Sequence, residues 1–413
     1  MSSPLFRPVA LGIYILFFTV GVVGALVLPT LSVFFAKEIG VRPLLVGIPF
    51  AGIALTSIFY NQWIGHWSDQ LADRRPLVAG FCFVGMMSCA IFAFSRNYWL
   101  VAATAVFLFS LSMVSFSQML AYSLDYAELN ISAERIPLFN AIVRTQIAFA
   151  WVAGPPSGFI LASYFGFTLT YGVAGVLFAF VGVLSVKLLP RLDRRSHSFE
   201  APSSSEGSSV EESESPLLTK TLSPQVKRSL LFCLIAFSLM WGANNAYLIS
   251  LPLHLKDNLD IDTQWSGWIM GTTALLEVPF MLLAGYLAAR ISLIRMILFA
   301  GVAALCLYGG VFFADVLWQL FALQIFNAVF IGVLAGLGVS VIQDLLPGRS
   351  GSASALYTNT THMGNLLSSL LVGVVADIFG YQSIFLVNLI LIALAIGAFS
   401  LVKTNRDLVA NSN

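Results

Sequence analysis

Residues Val9 to Ala36 read VALGIYILFFTVGVVGALVLPTLSVFFA, a run without a single charged side chain. A bilayer-spanning helix needs about 20 predominantly apolar residues. The run is too long for the apolar part of a secretory signal, and similar runs follow throughout, so it is expected to remain as a first span. Working outward, the spans fall at 9–36, 44–66, 77–95, 99–122, 139–164, 168–189, 229–254, 264–288, 293–313, 316–344, 353–377 and 382–402. Apolar residues make up 58% of the 413, roughly 240 positions, which supplies about twelve spans. Only 10% are charged, against about 25% in a soluble domain, and this excludes a water-soluble enzyme. A net charge of +1 leaves no basic field for nucleic acid. Cys82, Cys89, Cys233 and Cys306 lie in apolar runs without a CxxC pair, so neither a disulfide framework nor a metal site is expected.

Orientation follows from Lys and Arg. With the N-terminus inside, sixteen of the 21 basic residues fall in inner segments. Lys37, Arg42, Arg96 and Lys256 fall outside and Arg144 within a span. Both termini are therefore expected in the cytoplasm. Residues 190–228 contain no spanning run, and the part from Ala201 to Pro216, APSSSEGSSVEESESP, is too polar to offset its ordering entropy. A disordered tether there divides the chain into a half at 1–189 and a half at 229–402, with a tail at 403–413.

The halves echo one another. Gly65-His-Trp-Ser-Asp69 before Arg74-Arg75 corresponds to Gly285-Tyr-Leu-Ala-Ala-Arg290 before Arg295. Gly166 and Gly380 are each followed by an aromatic residue, with another five residues after the glycine. Two parallel repeats of six helices around a central site describe the major facilitator fold, all-α with twelve transmembrane helices.

Several residues carry candidate chemistry. In the 65–75 loop, Gly65 would allow close helix approach, and Asp69 and Asp73 can pair with Arg74 and Arg75 to latch the inner face. Arg144 lies roughly 7–8 Å into its span, where a charge normally faces a cavity or a partner. Asp125 and Glu128 are its expected partners. Trp151, seven residues on, shares its face. A guanidinium beside an indole suits a sugar, whose hydroxyls accept hydrogen bonds and whose C–H face stacks. Glu277 sits mid-span, beyond the reach of snorkelling, and is the candidate for proton coupling together with Asp125. Polar side chains recur at helical spacing at Ser115, Gln118, Tyr122 and Asp125, and at Thr358, His362, Asn365 and Ser369. With Tyr60, Asn61, Gln62, Trp241, Asn244, Asn245, Gln324 and Asn327 they offer donors and acceptors for a neutral polyol; helix–helix hydrogen bonding is the competing explanation. Gly154-Pro155-Pro156-Ser-Gly158 combines missing backbone donors with small residues, giving a kinked, tightly packed span.

These motifs carry a resemblance. The 65–75 loop is similar to the major facilitator signature Gly-x-x-x-Asp-Arg-x-Gly-Arg-Arg, with one extra residue, Ala72 near the glycine and Gln70 for the first arginine. Arg144-x-Gln146 followed by Ala150-Trp151-Val-x-Gly154-Pro155-Pro156 resembles the Set-type sugar efflux family, as does the Gly24 to Ser32 run. Arg144 with Trp151 is similar to the way lactose permeases hold galactosides. The Gly-Pro-Pro-x-Gly element resembles that of major facilitator antiporters and so implies export. The resemblance implies the major facilitator fold, an inner-membrane location and efflux of lactose, glucose or related glycosides; export is expected to be proton-driven, by a monomer, with lipid, sugar and protons as partners and no cofactor. Multidrug/proton antiport on the same fold is the alternative. No HExxH or Gly-x-Ser-x-Gly occurs to indicate an intramembrane enzyme.

Overall fold

A computed structural model describes residues 5, 7–69, 71, 73–192 and 224–402. Most of the 190–228 tether, the 403–413 tail, Gln70 and Ala72 lie outside the described residues. The described chain is helical throughout, as a bilayer requires, because a helix satisfies its own backbone donors and acceptors. The helices are α1 (Pro8–Val33, continued by a π turn over Phe34–Glu38), α2 (Pro43–Asp69), α3 (Arg75–Phe94) and α4 (Tyr98–Asn130). Next come α5 (136–165), α6 (167–187), α7 (Pro224–Asn258) and α8 (Gln264–Leu287). The last four are α9 (Leu293–Phe313), α10 (Leu317–Leu345), α11 (Ser350–Phe379) and α12 (Ser383–Ser400).

By length and hydropathy alone, residues 138–187 form one continuous apolar run. Gly166 divides it, with φ 79° and ψ 167°, a conformation costly for any residue with a Cβ. The α11–α12 junction repeats this: Gly380 has φ 81° and ψ 167°. The glycine echo in the sequence is thus an echo of backbone geometry, and the run supplies two spans, giving twelve.

Packing repeats with a shift of six. α1 packs on α5 and α3 on α6; α7 packs on α11 and α9 on α12. The halves meet through α2 against α11 and α5 against α8, two contacts that exchange under the same shift. Apolar surface gains nothing by leaving lipid, so close packing of small residues is what joins these helices. A Cβ on Gly47 would fall 2.8 Å from Gly373 Cα, and one on Gly267 2.6 Å from Pro155 O. Both crossings lie at the end of the bundle away from the termini. At the other end, Cβ atoms on Gly65 and Gly285 would meet nothing within 4 Å. The close approach expected at Gly65 is absent: at this diverging end no glycine crossing joins the halves among the described residues.

Candidate functional site

Between the halves lies a cavity of about 300 Å³, at the small end of ligand sites. The second half supplies its polar wall: Asn244 and Asn245 from α7, and Thr361, His362 and Asn365 from α11. The first half supplies Leu28, Pro29, Phe50, Ile53, Ala54, Ser57, Met113 and Trp151. Trp241 adds a second indole from α7, set edge-on against Tyr357 with ring centroids 6.3 Å apart. Asn245 braces this wall: its Nδ2 donates to Ser368 Oγ (2.9 Å), Ser369 Oγ (3.1 Å) and the Asn365 carbonyl. Helices α7 and α11 can approach that closely because Gly242 faces Gly364. Arg144 is exposed and has no hydrogen-bond or ion-pair partner among the described residues. It stands on the Trp151 face of α5, seven residues toward the diverging end, about 10 Å along the axis.

The polar stripe of α4 behaves differently. Arg74, 5% exposed, is the hub of a buried cluster. Its Nε donates to Asp125 Oδ2 (3.1 Å), and its Nη1 donates to Ser68 Oγ (2.7 Å) and Gln118 Oε1 (3.0 Å). Gln118 Nε2 completes the ring on Ser68 Oγ at 3.1 Å. Asp125 is thus the partner of Arg74, not of Arg144, and Glu128 is exposed. Tyr122 donates to the Pro190 carbonyl at 2.8 Å, where the first half ends. Gln118 and Tyr122 therefore join helices of one half and do not line the cavity. The reason is rotational: the face carrying Ser115, Gln118 and Tyr122 is turned into the packed interior, and all three are buried. Asn61 is similar, donating to Ser57 O (2.9 Å) and accepting from Ser117 Oγ (3.0 Å); Gln62 is exposed.

In the loop, Asp73 grips Arg75 through both carboxylate oxygens, the shortest contact being 2.7 Å, and Arg75 also donates to the Leu189 carbonyl. The hydrogen bonds from Arg75, chiefly that of its side chain, hold the Asp73 carboxyl below the usual carboxylate range. Asp69 ends α2, and its side chain lies outside the described residues.

The Gly-Pro-Pro-x-Gly element faces two ways. Gly154 and Gly158 lie against α1, where Cβ atoms would fall 2.6 Å from Ala25 Cβ and 2.9 Å from Leu26 O. Pro155 and Pro156 present their surface to Gly267 and Gly271 of α8 across the half boundary. Glu277 is half-buried on α8 without a hydrogen-bond or ion-pair partner among the described residues, and it is not part of the cavity wall. Its carbonyl lies where a Cβ on Gly332 would come within 3.1 Å, so α10 packs against this turn.

The Major Facilitator Superfamily model matches residues 13–317 and 266–412. Sugar efflux transporter A of Dickeya chrysanthemi is 37% identical over 91% of this chain and 91% of its own length. Sugar efflux transporter B of Salmonella typhimurium is 36% identical over 94% and 93%. The chain belongs to the sugar efflux transporter family of the Major Facilitator Superfamily. Among solved structures, a bacterial homologue of the lysosomal transporter Spinster, inward-facing and occupied, superposes with a TM-score of 0.77 at 11% identity, covering 100% of this chain and 99% of the other. The nucleoside transporter NupG gives 0.74 at 13%, covering 96% and 99%. At these identities the likeness is one of fold.

Of the residues singled out from sequence, this sugar efflux family member brings together Trp151, Trp241, Asn244, Asn245, His362 and Asn365. Ser57, Thr361, Phe50 and Met113 were not foreseen as wall residues. Thr361 lies one turn after Thr358 and one turn before Asn365, and Ser57 lies one turn before Asn61, so helical spacing from named residues would have found both. Phe50 and Met113 carry no signal that separates them from any other buried apolar residue.

Proposed function

We propose that this transporter exports sugars or small glycosides across the inner membrane by proton antiport and alternating access, with both termini cytoplasmic. The observation that carries the reading is the cavity: indoles from both halves, and amides and an imidazole from α7 and α11, around one space between the repeats. Neutral amides both donate and accept, which matches hydroxyl groups, and an indole face takes the C–H surface of a pyranose. The diverging end carries the termini, so the form described faces inward, ready to load solute from the cytoplasm. Arg144 lies on the way in and meets the sugar before Trp151 does. The relatives named as sugar efflux transporters support the same solute class. Glu277, unpaired within the membrane, is the proton carrier in this scheme. The units that move are the halves 1–189 and 229–402, joined by the 190–228 tether.

The test is counterflow of radiolabelled lactose and glucose in proteoliposomes, with and without a pH gradient. Asn365→Ala and Arg144→Ala are expected to lower counterflow at least tenfold at equal protein. Glu277→Gln is expected to abolish only the gradient-driven component. Wild-type counterflow in Asn365→Ala would remove the cavity as the sugar site, and gradient-driven efflux in Glu277→Gln would remove Glu277 as the carrier.

A further inference from the structure

The closed rim of the bundle, away from the termini, carries three hydrogen bonds that cross between the halves. Lys37 at the end of α1 pairs with Asp257 at the end of α7. Ser163 Oγ on α5 donates to Asp262 Oδ1 in the α7–α8 turn at 3.2 Å. The backbone N–H of Leu44, in the first turn of α2, donates to Asp377 Oδ1 of α11 at 3.4 Å. In each case the donor belongs to the first half and the acceptor is an aspartate of the second. Asp377 also places its negative charge at the N-terminus of α2, where the helix dipole favours it. Asp257 and Asp262 stand with Lys37 and Ser163 around one open cleft of about 410 Å³, so water reaches these bonds.

Beneath the rim, the glycine crossings of α2 with α11 and of α5 with α8 join the halves by close packing. The rim adds hydrogen bonds and charge pairing that exist only when the halves meet. The three aspartates accept those bonds. Exposed pairs of this kind shift an equilibrium by no more than about fivefold each, weak enough for a latch that opens in every cycle.

We propose that Asp257, Asp262 and Asp377 are the rim latch, holding the transporter in the form open at the terminal end and setting its balance with the form open at the rim. None of the three lines the cavity between the halves, so the latch acts whatever the cargo.

The test is pulsed electron–electron distance measurement in nanodiscs without sugar. Spin labels are placed across the rim at Arg42→Cys and Asp315→Cys in a Cys306→Ser background. A label pair within the first half, at Arg42→Cys and Tyr164→Cys, reports that the fold is intact. The unaltered rim is expected to show one short distance. Combining Lys37→Ala, Asp262→Ala and Asp377→Ala is expected to raise a longer-distance population roughly tenfold or more, the product of several few-fold effects. Lys37→Asp alone is expected to lengthen the distance, and adding Asp257→Lys to restore it. An unchanged distribution in the triple variant, or a charge exchange that stays open, overturns the latch. Because no sugar is present, that failure is distinct from failure of the sugar reading.

Discussion

The Arg74–Asp125 pair can be weighed by a double-mutant cycle. Their side chains are 4% and 10% exposed, close to the regime in which removing one partner of a buried pair costs about 3–5 kcal/mol. In Asp125→Leu the guanidinium keeps Ser68 and Gln118, which places the loss near the low end, about 3 kcal/mol. In Arg74→Met the carboxylate loses the guanidinium, and a similar loss is expected. In the double variant the two charges of the pair leave together; Gln118 Oε1 loses its donor but Nε2 stays on Ser68, so the cost should be about 1–2 kcal/mol. The singles sum to about 6 kcal/mol against at most 2 for the double, a coupling of about 4 kcal/mol or more. The assay is the apparent melting temperature of the detergent-solubilised protein at fixed scan rate, because membrane-protein unfolding is rarely reversible. The double variant should melt above either single. A parallel cycle on Arg144 and Asp125 should give no coupling. Additive losses for Arg74 with Asp125, or strong coupling of Arg144 with Asp125, would refute the assignment.

Further outcomes can be checked directly. Gly267→Leu forces a side chain into Pro155 and Pro156; overpacking of this kind costs about 1–3 kcal/mol, and counterflow should be lost at normal membrane levels if the crossing must close in each cycle. Asn245→Ala removes the donor to Ser368 and Ser369 and should cost about 1–2 kcal/mol in the same melting assay while lowering sugar affinity through displacement of Asn365. Asp73 has its carboxyl held low by Arg75; stability from a lowered carboxyl is present above its unfolded value and is lost only as pH falls through the folded one. Asp73→Asn should therefore lower the melting temperature equally at pH 5 and pH 8, by an amount worth about 1 kcal/mol or less. A deficit confined to pH 8 would show that Asp73 is protonated at pH 5, so that its carboxyl is raised rather than lowered.

What the sequence reveals differs from level to level for a physical reason. A membrane span must be apolar along its whole length, so the runs from Val9 onward announce themselves without knowledge of the fold. The repeat is legible at Gly166 and Gly380 because only glycine readily adopts their backbone angles, leaving a mark in single residues. Which way a polar side chain points is harder. Gln118 on α4 and Asn365 on α11 sit in stripes of the same period, yet the first is sealed against Arg74 and the second faces the cavity. Periodicity fixes which residues share a face; it does not fix what that face meets. One clue lay in composition: the α4 stripe contains Asp125 and the first half supplies two arginines at the α2–α3 turn, whereas the α11 stripe contains no charge at all. A charged stripe within reach of opposite charges on its own half is more economically paired there than left in a cavity.

The same reasoning bears on Arg144, which remains the unpaired cation of α5. Its expected partners are committed to Arg74 or exposed at the helix end, so nothing among the described residues compensates its charge in this form. A guanidinium at that depth is costly unless water, lipid phosphate or solute surrounds it. Arg144 is exposed in this form, and in the proposed scheme the inner opening supplies its water. Closing that end would strip the water away and leave the charge stranded unless a ligand bearing hydrogen-bond acceptors entered with it. In the proposed export scheme Arg144 opposes empty closure and permits loaded closure, the asymmetry that avoids cycling without cargo. Arg144→Leu should accordingly close without sugar, and labels across the terminal end should report a shorter distance in its absence; a distance that still shortens only on adding sugar would show that another group imposes the condition.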